Sequence, residues 1–343
     1  MSTPWWDPAR HADRRPFLEA RGRIKRAMHA WFDERGFTEI EAGQLQASPG
    51  NETHLHALAT QVLTPSGVAK PMYLHTSPEF ACKKLLAAGE TQIYDFARVF
   101  RNREAGSLHA TEFTMLEWYR AEADWRVVMQ DTLDLVRVAA NAVPTDTLKW
   151  LDTQIAINQD ATYLSLQDAF AQFAKIDLLA TVDARGNGIR PALAAAADAQ
   201  NIRMTDDDTW SDIFSKVLVE KIEPFLGLSA PTFLCDYPSC EAALARKSPN
   251  DPRVSERFEL YICGVELANG FGELTDPVEQ RARFEADMAL KLAIYGETYP
   301  IDEDFLAALA HMPPASGVAL GFDRLVMLAT GARRMSDVLW TGG

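Results

Sequence analysis

Phe17, Ala20, Ile24, Met28 and Trp31 recur at three- and four-residue spacing, one apolar stripe along a helix, and Gly36 ends the pattern. Pro16 suits a first helical turn, so an amphipathic helix of about five turns is expected from there. Phe37 to Leu45 reads as a short strand followed by turn-rich Ser48-Pro-Gly-Asn-Glu, residues 71–75 as a strand, and 79–86 as a helix begun by Ser77-Pro78. Residues 93–101 and 112–120 are aromatic, β-branched or alternating, with the polar segment 102–111 and its Gly106 between them, which predicts a hairpin with a long loop. In its second strand, period two puts Phe113, Met115, Glu117 and Tyr119 on one face and Leu116 and Trp118 on the other. A carboxylate among aromatics has no packing role, so that face is expected to meet a ligand.

Helices are expected over 124–142, 164–173, the Ala-rich 191–200, and 210–226 after the candidate cap Thr205. Strands return at 232–236, 258–263 and 265–268, a helix covers about 276–294, and 316–332 is a small-residue strand running into a helix. The order is α+β, with 143–230 read as a helical insertion between halves of a sheet.

Composition narrows the function classes. Apolar residues are 47% and charged residues 24% of 343, a globular composition, and no apolar run is long enough to cross a membrane. With no secretory signal pattern at the N-terminus, a cytoplasmic protein is expected. Cys82, Cys235, Cys240 and Cys263 lack zinc-like or disulfide spacing. A net charge of -14 argues against non-specific nucleic-acid binding, although Arg10, Arg14, Arg15, Arg21, Arg23, Lys25 and Arg26 crowd one stretch. That stretch is either the solvated face of the first helix or a docking surface for an acidic partner.

Glu259 to Glu266 can form a hairpin turning at Cys263-Gly264, with Tyr261 facing Glu266. Glu259 then lies diagonally from Glu266, about 7 Å away, and two such carboxylates invite a cation, with oxygen-only ligands favouring Mg²⁺.

The string Glu266-Leu-Ala-Asn-Gly-Phe-Gly-Glu-Leu-Thr-Asp276 resembles the amino-acid-site segment of lysyl-type class II aminoacyl-tRNA synthetases. Phe96-Ala-Arg-Val-Phe-Arg-Asn102 through His109-Ala-Thr-Glu-Phe-Thr-Met-Leu-Glu-Trp-Tyr119 looks like class II motif 2, and Ser316-Gly-Val-Ala-Leu-Gly-Phe-Asp-Arg324 like motif 3. The first helix with Phe37-Thr-Glu-Ile-Glu41 looks like motif 1, the dimer-forming element, which implies a homodimer. The resemblance runs from residue 16 to the C-terminus and implies a 16–343 catalytic domain with a mixed, mostly antiparallel sheet flanked by helices, preceded by a 1–15 extension.

The resemblance also implies roles. Arg101 and Arg324 would be catalytic, Arg101 bridging the α-phosphate of ATP and the substrate carboxylate, Arg324 gripping the γ-phosphate. Phe113 would stack on adenine, with Asn102, Arg103, Glu266, Leu267 and Gly321 also at ATP, and Glu259 and Glu266 would hold Mg²⁺. Ser77, Glu79, Glu117, Tyr119, Asn269, Glu273 and Ala319 would surround the amino acid. Three carboxylates in that set favour lysine over aspartate or asparagine. Pro16 opens the motif 1-like helix with no room ahead for an anticodon-binding OB domain, so the likeness is to the stand-alone lysyl-synthetase paralogues, which attach (R)-β-lysine to elongation factor P; tRNA is not the expected acceptor. Ala319 stands where lysyl synthetases carry Gly, and its methyl would reshape the pocket wall. Three positions depart from the pattern: Gly43 for Pro in motif 1, and in motif 2 Arg103 for Glu and Ala110 for Asn.

Overall fold

The computed structural model describes residues 4–104 and 106–341, so residues 1–3 of the expected extension, Ala105 of the expected loop, and Gly342 and Gly343 lie outside the described residues. The chain divides into two compact units, Met1–Asp146 with Thr275–Gly343, and Thr147–Leu274.

In the first unit, helix α1 runs Pro8–Asp33, two turns earlier than expected. Asp7 sets the start: its carboxylate accepts the backbone N–H groups of Ala9 at 3.0 Å and Arg10 at 3.2 Å, and Pro8 fills N1. Pro16 lies inside the helix. The apolar stripe buries Leu18, Ile24, Met28 and Phe32, and Phe32 stacks on Tyr94 with ring centroids 4.1 Å apart. The basic stretch is not one surface. Arg14 is buried and bonded to the Leu339 carbonyl, Arg21 is buried against Asp323, Lys25 lies over the Phe96 ring, and Arg15 pairs with Glu19 at 2.8 Å.

The strand expected over 37–45 is interrupted into β1 (Thr38–Glu39) and β2 (Leu45–Gln46). An exposed hairpin follows, β3 (Leu58–Leu63) and β4 (Ala69–Leu74), then helix α2 (Glu79–Ala87). β5 (Gln92–Phe100) and β6 (Glu112–Ala121) pair antiparallel, as alternation predicted, and β13 (Ala315–Gly321) pairs antiparallel with β6 while β1 runs parallel to β5. Helix α3 (Trp125–Ala142), capped by Asp124, packs with α1 and α9 (Phe322–Thr330). Helices α7 (Pro277–Tyr295), α8 (Glu303–Leu309) and α10 (Met335–Val338) complete this unit.

The second unit begins with strands where helix was expected: β7 (Thr147–Trp150) and β8 (Thr153–Ala156) pair together, and β9 (Thr162–Ser165) precedes α4 (Leu166–Ala169) and a π-helical turn, Phe170–Ala174. At four residues each, these strands are too short to show periodicity. Helix α5 spans Arg190–Asp198; α6 spans Trp210–Val217 and is capped by Thr209 in a capping box with Asp212, rather than by Thr205. β10 (Thr232–Pro238) runs parallel to β9 and antiparallel to β11 (Val254–Ile262), which pairs antiparallel with β12 (Val265–Gly272). Leu166, Phe170, Leu193, Ile213, Phe214 and Leu234 form the core beneath. Each unit is therefore a mixed, mostly antiparallel sheet with helices against it. Among the described residues no helix is long and apolar enough to cross a membrane.

Candidate active site

The first unit gathers a buried acidic group. Glu117 on β6 is 1% exposed; Ser77 donates to its Oε1 at 2.6 Å and Tyr119 to its Oε2 at 2.7 Å. Burial, with Glu79 adding repulsion, pushes its pKa up to about 8. Sheet register sets two further neighbours: Asp95 of β5 and Ala319 of β13 stand directly across from Glu117. Asp95 is itself pushed up to about 6 by burial, although it accepts the Ala42 N–H at 3.0 Å. On β13 the row is small, Gly317, Ala319 and Gly321 opposite Tyr119, Glu117 and Met115, which leaves room above that face. Glu79, at the start of α2, pairs with Lys83 one turn on at 2.6 Å, and the Lys83 side chain is fully buried. Lys83 thus offsets the charge of Glu79, one of the three carboxylates expected to favour a cationic substrate.

Farther along the same strands, Phe113 presents a half-buried ring with the Arg101 guanidinium 5.5 Å from its centroid. Arg101 is steadied by donation to the Thr76 carbonyl at 3.3 Å. Arg324 donates to the Leu108 carbonyl at 3.3 Å and reaches His109 Nε2 at 3.0 Å. Burial and Arg324 both lower the His109 pKa, so a neutral ring accepts from the guanidinium. A side chain at Gly321 would crowd Arg324, whose Cδ would stand 3.4 Å from the added Cβ. Asn102 and Arg103 are exposed at the turn leaving β5; Asn102 bonds the His56 carbonyl through its N–H, and Arg103 faces Glu297.

The second unit presents another polar face. Cys263 and Gly264 turn the hairpin at φ 53° and 75°, and Tyr261 pairs with Glu266 as expected. The register then shifts: Leu260 pairs with Ala268 and Glu259 with Asn269, so Leu267 is a bulged residue with no partner on β11. Simple alternation would put Asn269 on the face opposite Glu266; the bulge brings Glu259, Glu266 and Asn269 to one face. Glu273, one residue beyond the strand and buried, continues that row. Glu259 accepts from Arg257 at 2.8 Å and from Tyr261 at 2.9 Å. A Cβ at Gly272 would run into the Glu256 carboxylate and Arg246, so that ion pair would have to shift to admit one. Among the described residues no three His, Cys, Asp or Glu side chains gather into a metal site. Two carboxylates, with phosphates supplying the remaining oxygens, are the donor set Mg²⁺ takes beside nucleotides, and Glu259 and Glu266 fit it.

The sequence profile of the class II tRNA synthetases (D, K and N) matches residues 2–340. The chain belongs to this family. Among its relatives are proteins named elongation factor P--(R)-beta-lysine ligase. That of Proteus mirabilis is 39% identical over 335 residues, 96% of this chain and 97% of the relative. Those of Haemophilus influenzae, 38% over 336 residues covering 97% and 96%, and Salmonella arizonae, 39% over 339 residues covering 98% and 97%, are similar.

In this synthetase chain Asp323 of the motif 3-like segment, for which the sequence offers no role, joins three elements. It is 1% exposed, pairs with Arg21 of α1, and accepts the Thr114 N–H of β6 at 2.8 Å, while Arg21 also donates to the Thr114 hydroxyl at 2.8 Å. Asp95, His109 and Lys83 were likewise given no role; only Lys83, four residues after Glu79 on one helix, carried a readable signal.

Proposed function

We propose that this synthetase-family ligase uses ATP to activate (R)-β-lysine as its adenylate and passes it to a lysine side chain of elongation factor P. The observation that carries the amino-acid half is Glu117, buried, held by Ser77 and Tyr119, and raised to about 8 until a cation stands beside it. An ammonium is that cation: it makes the ionised form favourable and is bound by it. The acceptor half rests on relatives of that name, matched over nearly their full length.

The substrate carboxylate attacks the α-phosphorus, the bond to the bridging oxygen breaks, and pyrophosphate leaves. Arg101 bridges the α-phosphate and the attacking carboxylate, Phe113 stacks on adenine, and Arg324, backed by His109, takes the γ-phosphate. Asn102 and Gly321, in the same unit, are assigned to the nucleotide as backbone or small-residue contacts. In the first unit Ser77, Glu79, Glu117, Tyr119 and Ala319 are the residues assigned to the amino acid. Glu259 and Glu266 would hold Mg²⁺, which neutralises phosphate charge when bound. In the second step an uncharged lysine amine of the acceptor attacks the adenylate carbonyl, AMP leaves, and the amine proton goes to solvent, giving an amide. The protein works in the cytoplasm, as a homodimer pairing through α1 and β1.

ATP–pyrophosphate exchange with (R)-β-lysine and α-lysine tests activation, and mass analysis of elongation factor P and tRNA after incubation tests transfer. Exchange with mass gain on elongation factor P is expected. Charging of tRNA alone overturns the acceptor, and no exchange with either amino acid overturns the whole reading.

A further inference from the structure

Glu297 is a carboxylate ringed by bases. It follows Gly296, which ends α7 in the left-handed conformation at φ 67°, so the chain turns sharply out of the helix. His56 reaches Glu297 through Nδ1, Arg103 Nη2 lies 3.6 Å away, and Lys291 Nζ 3.9 Å away. Lys291 is fully buried and donates to the carbonyls of Thr53 at 3.0 Å and Leu55 at 2.7 Å. The Tyr295 ring lies 5.4 Å from the Arg103 guanidinium and edge-on to His56.

The other end of this cluster is the exit of β5. Arg103 has φ 62°, a region that side chains other than glycine enter only when their surroundings fix them there. Its N–H bonds Asn102 Oδ1 at 2.9 Å, and the Asn102 N–H bonds the His56 carbonyl at 2.7 Å. The turn is thus tied twice to one place, through its backbone to His56 and through the Arg103 side chain to Glu297. Arg101 sits at the start of that turn.

We propose that Glu297 is a positioning residue for nucleotide binding: by holding Arg103 and His56 it fixes the turn after β5 and so aims Arg101 across the Phe113 ring. The inference rests on the activation reading, in which ATP lies against Arg101 and Phe113. It also gives Arg103, where the family carries Glu, an indirect role, with its guanidinium committed to Glu297 and Tyr295.

The test is ATP–pyrophosphate exchange by wild type, Glu297→Gln, Arg103→Gln and the double variant. Each single change is expected to raise KM for ATP about five- to tenfold and KM for the amino acid less than about twofold, with the double variant no worse than the worse single, because both cut one tie. Arg103 is exposed, so Arg103→Gln keeps the wild-type melting temperature and reports the turn alone, even if Glu297→Gln lowers it by uncovering Lys291. Unchanged KM for ATP in both singles overturns the inference while leaving the activation reading intact. Losses that multiply in the double variant overturn it too, since Arg103 would then touch the nucleotide independently. A wild type silent in exchange overturns the activation reading and the inference together.

Discussion

Tyr119→Phe changes one atom and tests the electrostatics of the amino-acid site. The hydroxyl donates to Glu117 Oε2 at 2.7 Å, stabilising the ionised form of a carboxyl that burial nonetheless raises to about 8. Glu79 and Lys83 of α2, Asp95 of β5 and the Ser77 hydroxyl also surround it, and none is altered by the change. With a pKa of about 8, Glu117 is ionised in about one molecule in ten at pH 7. A hydrogen bond to a charged group is worth about 1.5–3 kcal/mol, so losing it raises the pKa by at least about one unit and cuts the ionised fraction at pH 7 roughly tenfold. The value of kcat/KM for the amino acid reports ionisation in the free enzyme. In pyrophosphate exchange it should rise with pH through about 8 in wild type, with the rise displaced upward in Tyr119→Phe. A wild-type profile flat through that range, or a variant lower by one constant factor at every pH, would refute the reasoning.

Stability should show the same carboxyls with a definite sign. Native pKa values of about 8 for Glu117 and about 6 for Asp95 lie above their unfolded values, so the stability of their neutral forms is complete below about pH 4 and lost as pH rises through those native values. Denaturant unfolding should weaken by a few kcal/mol over that span, and Glu117→Gln should flatten most of the slope; an unchanged slope refutes the assignment. Asp323→Ala leaves buried Arg21 uncompensated and should cost about 3–5 kcal/mol by the same assay, whereas a loss within 1 kcal/mol, the range of surface pairs, would mean the pair behaves as exposed. Ala319→Gly removes the one methyl in the row opposite Glu117, and since a methyl discriminates by about 1–3 kcal/mol, the exchange preference should move toward α-lysine by roughly five- to a hundredfold; equal losses for both amino acids would refute a role in choosing between them.

Alternation in 112–120 was legible because β6 is regular over its whole length, so Phe113, Glu117 and Tyr119 could be assigned to one face. The same logic was insufficient on β12, where the bulge at Leu267 changes parity inside the strand without any glycine or proline to mark it. The stripe of α1 is plain in the sequence, and the helix starts at Asp7-Pro8 rather than Pro16 because the Asp7 carboxylate caps the chain there. Arg21 read as surface charge because its partner, Asp323, is 302 residues away, and long-range pairing leaves no local pattern. The cluster at Glu297 was hidden for the same reason, since His56, Arg103 and Lys291 belong to separate stretches.

The bulge at Leu267 makes β12 a strand with a fixed phase break. Deleting that single residue would keep every pair in place, Glu266 on Tyr261, Ala268 on Leu260 and Asn269 on Glu259, and would only straighten the strand. A residue lost farther along, between Asn269 and Glu273, would instead carry Glu273 to the reverse side, away from Glu259 and Glu266. The spacing from Asn269 to Glu273, as much as its composition, therefore decides which side chains share the face of Glu259.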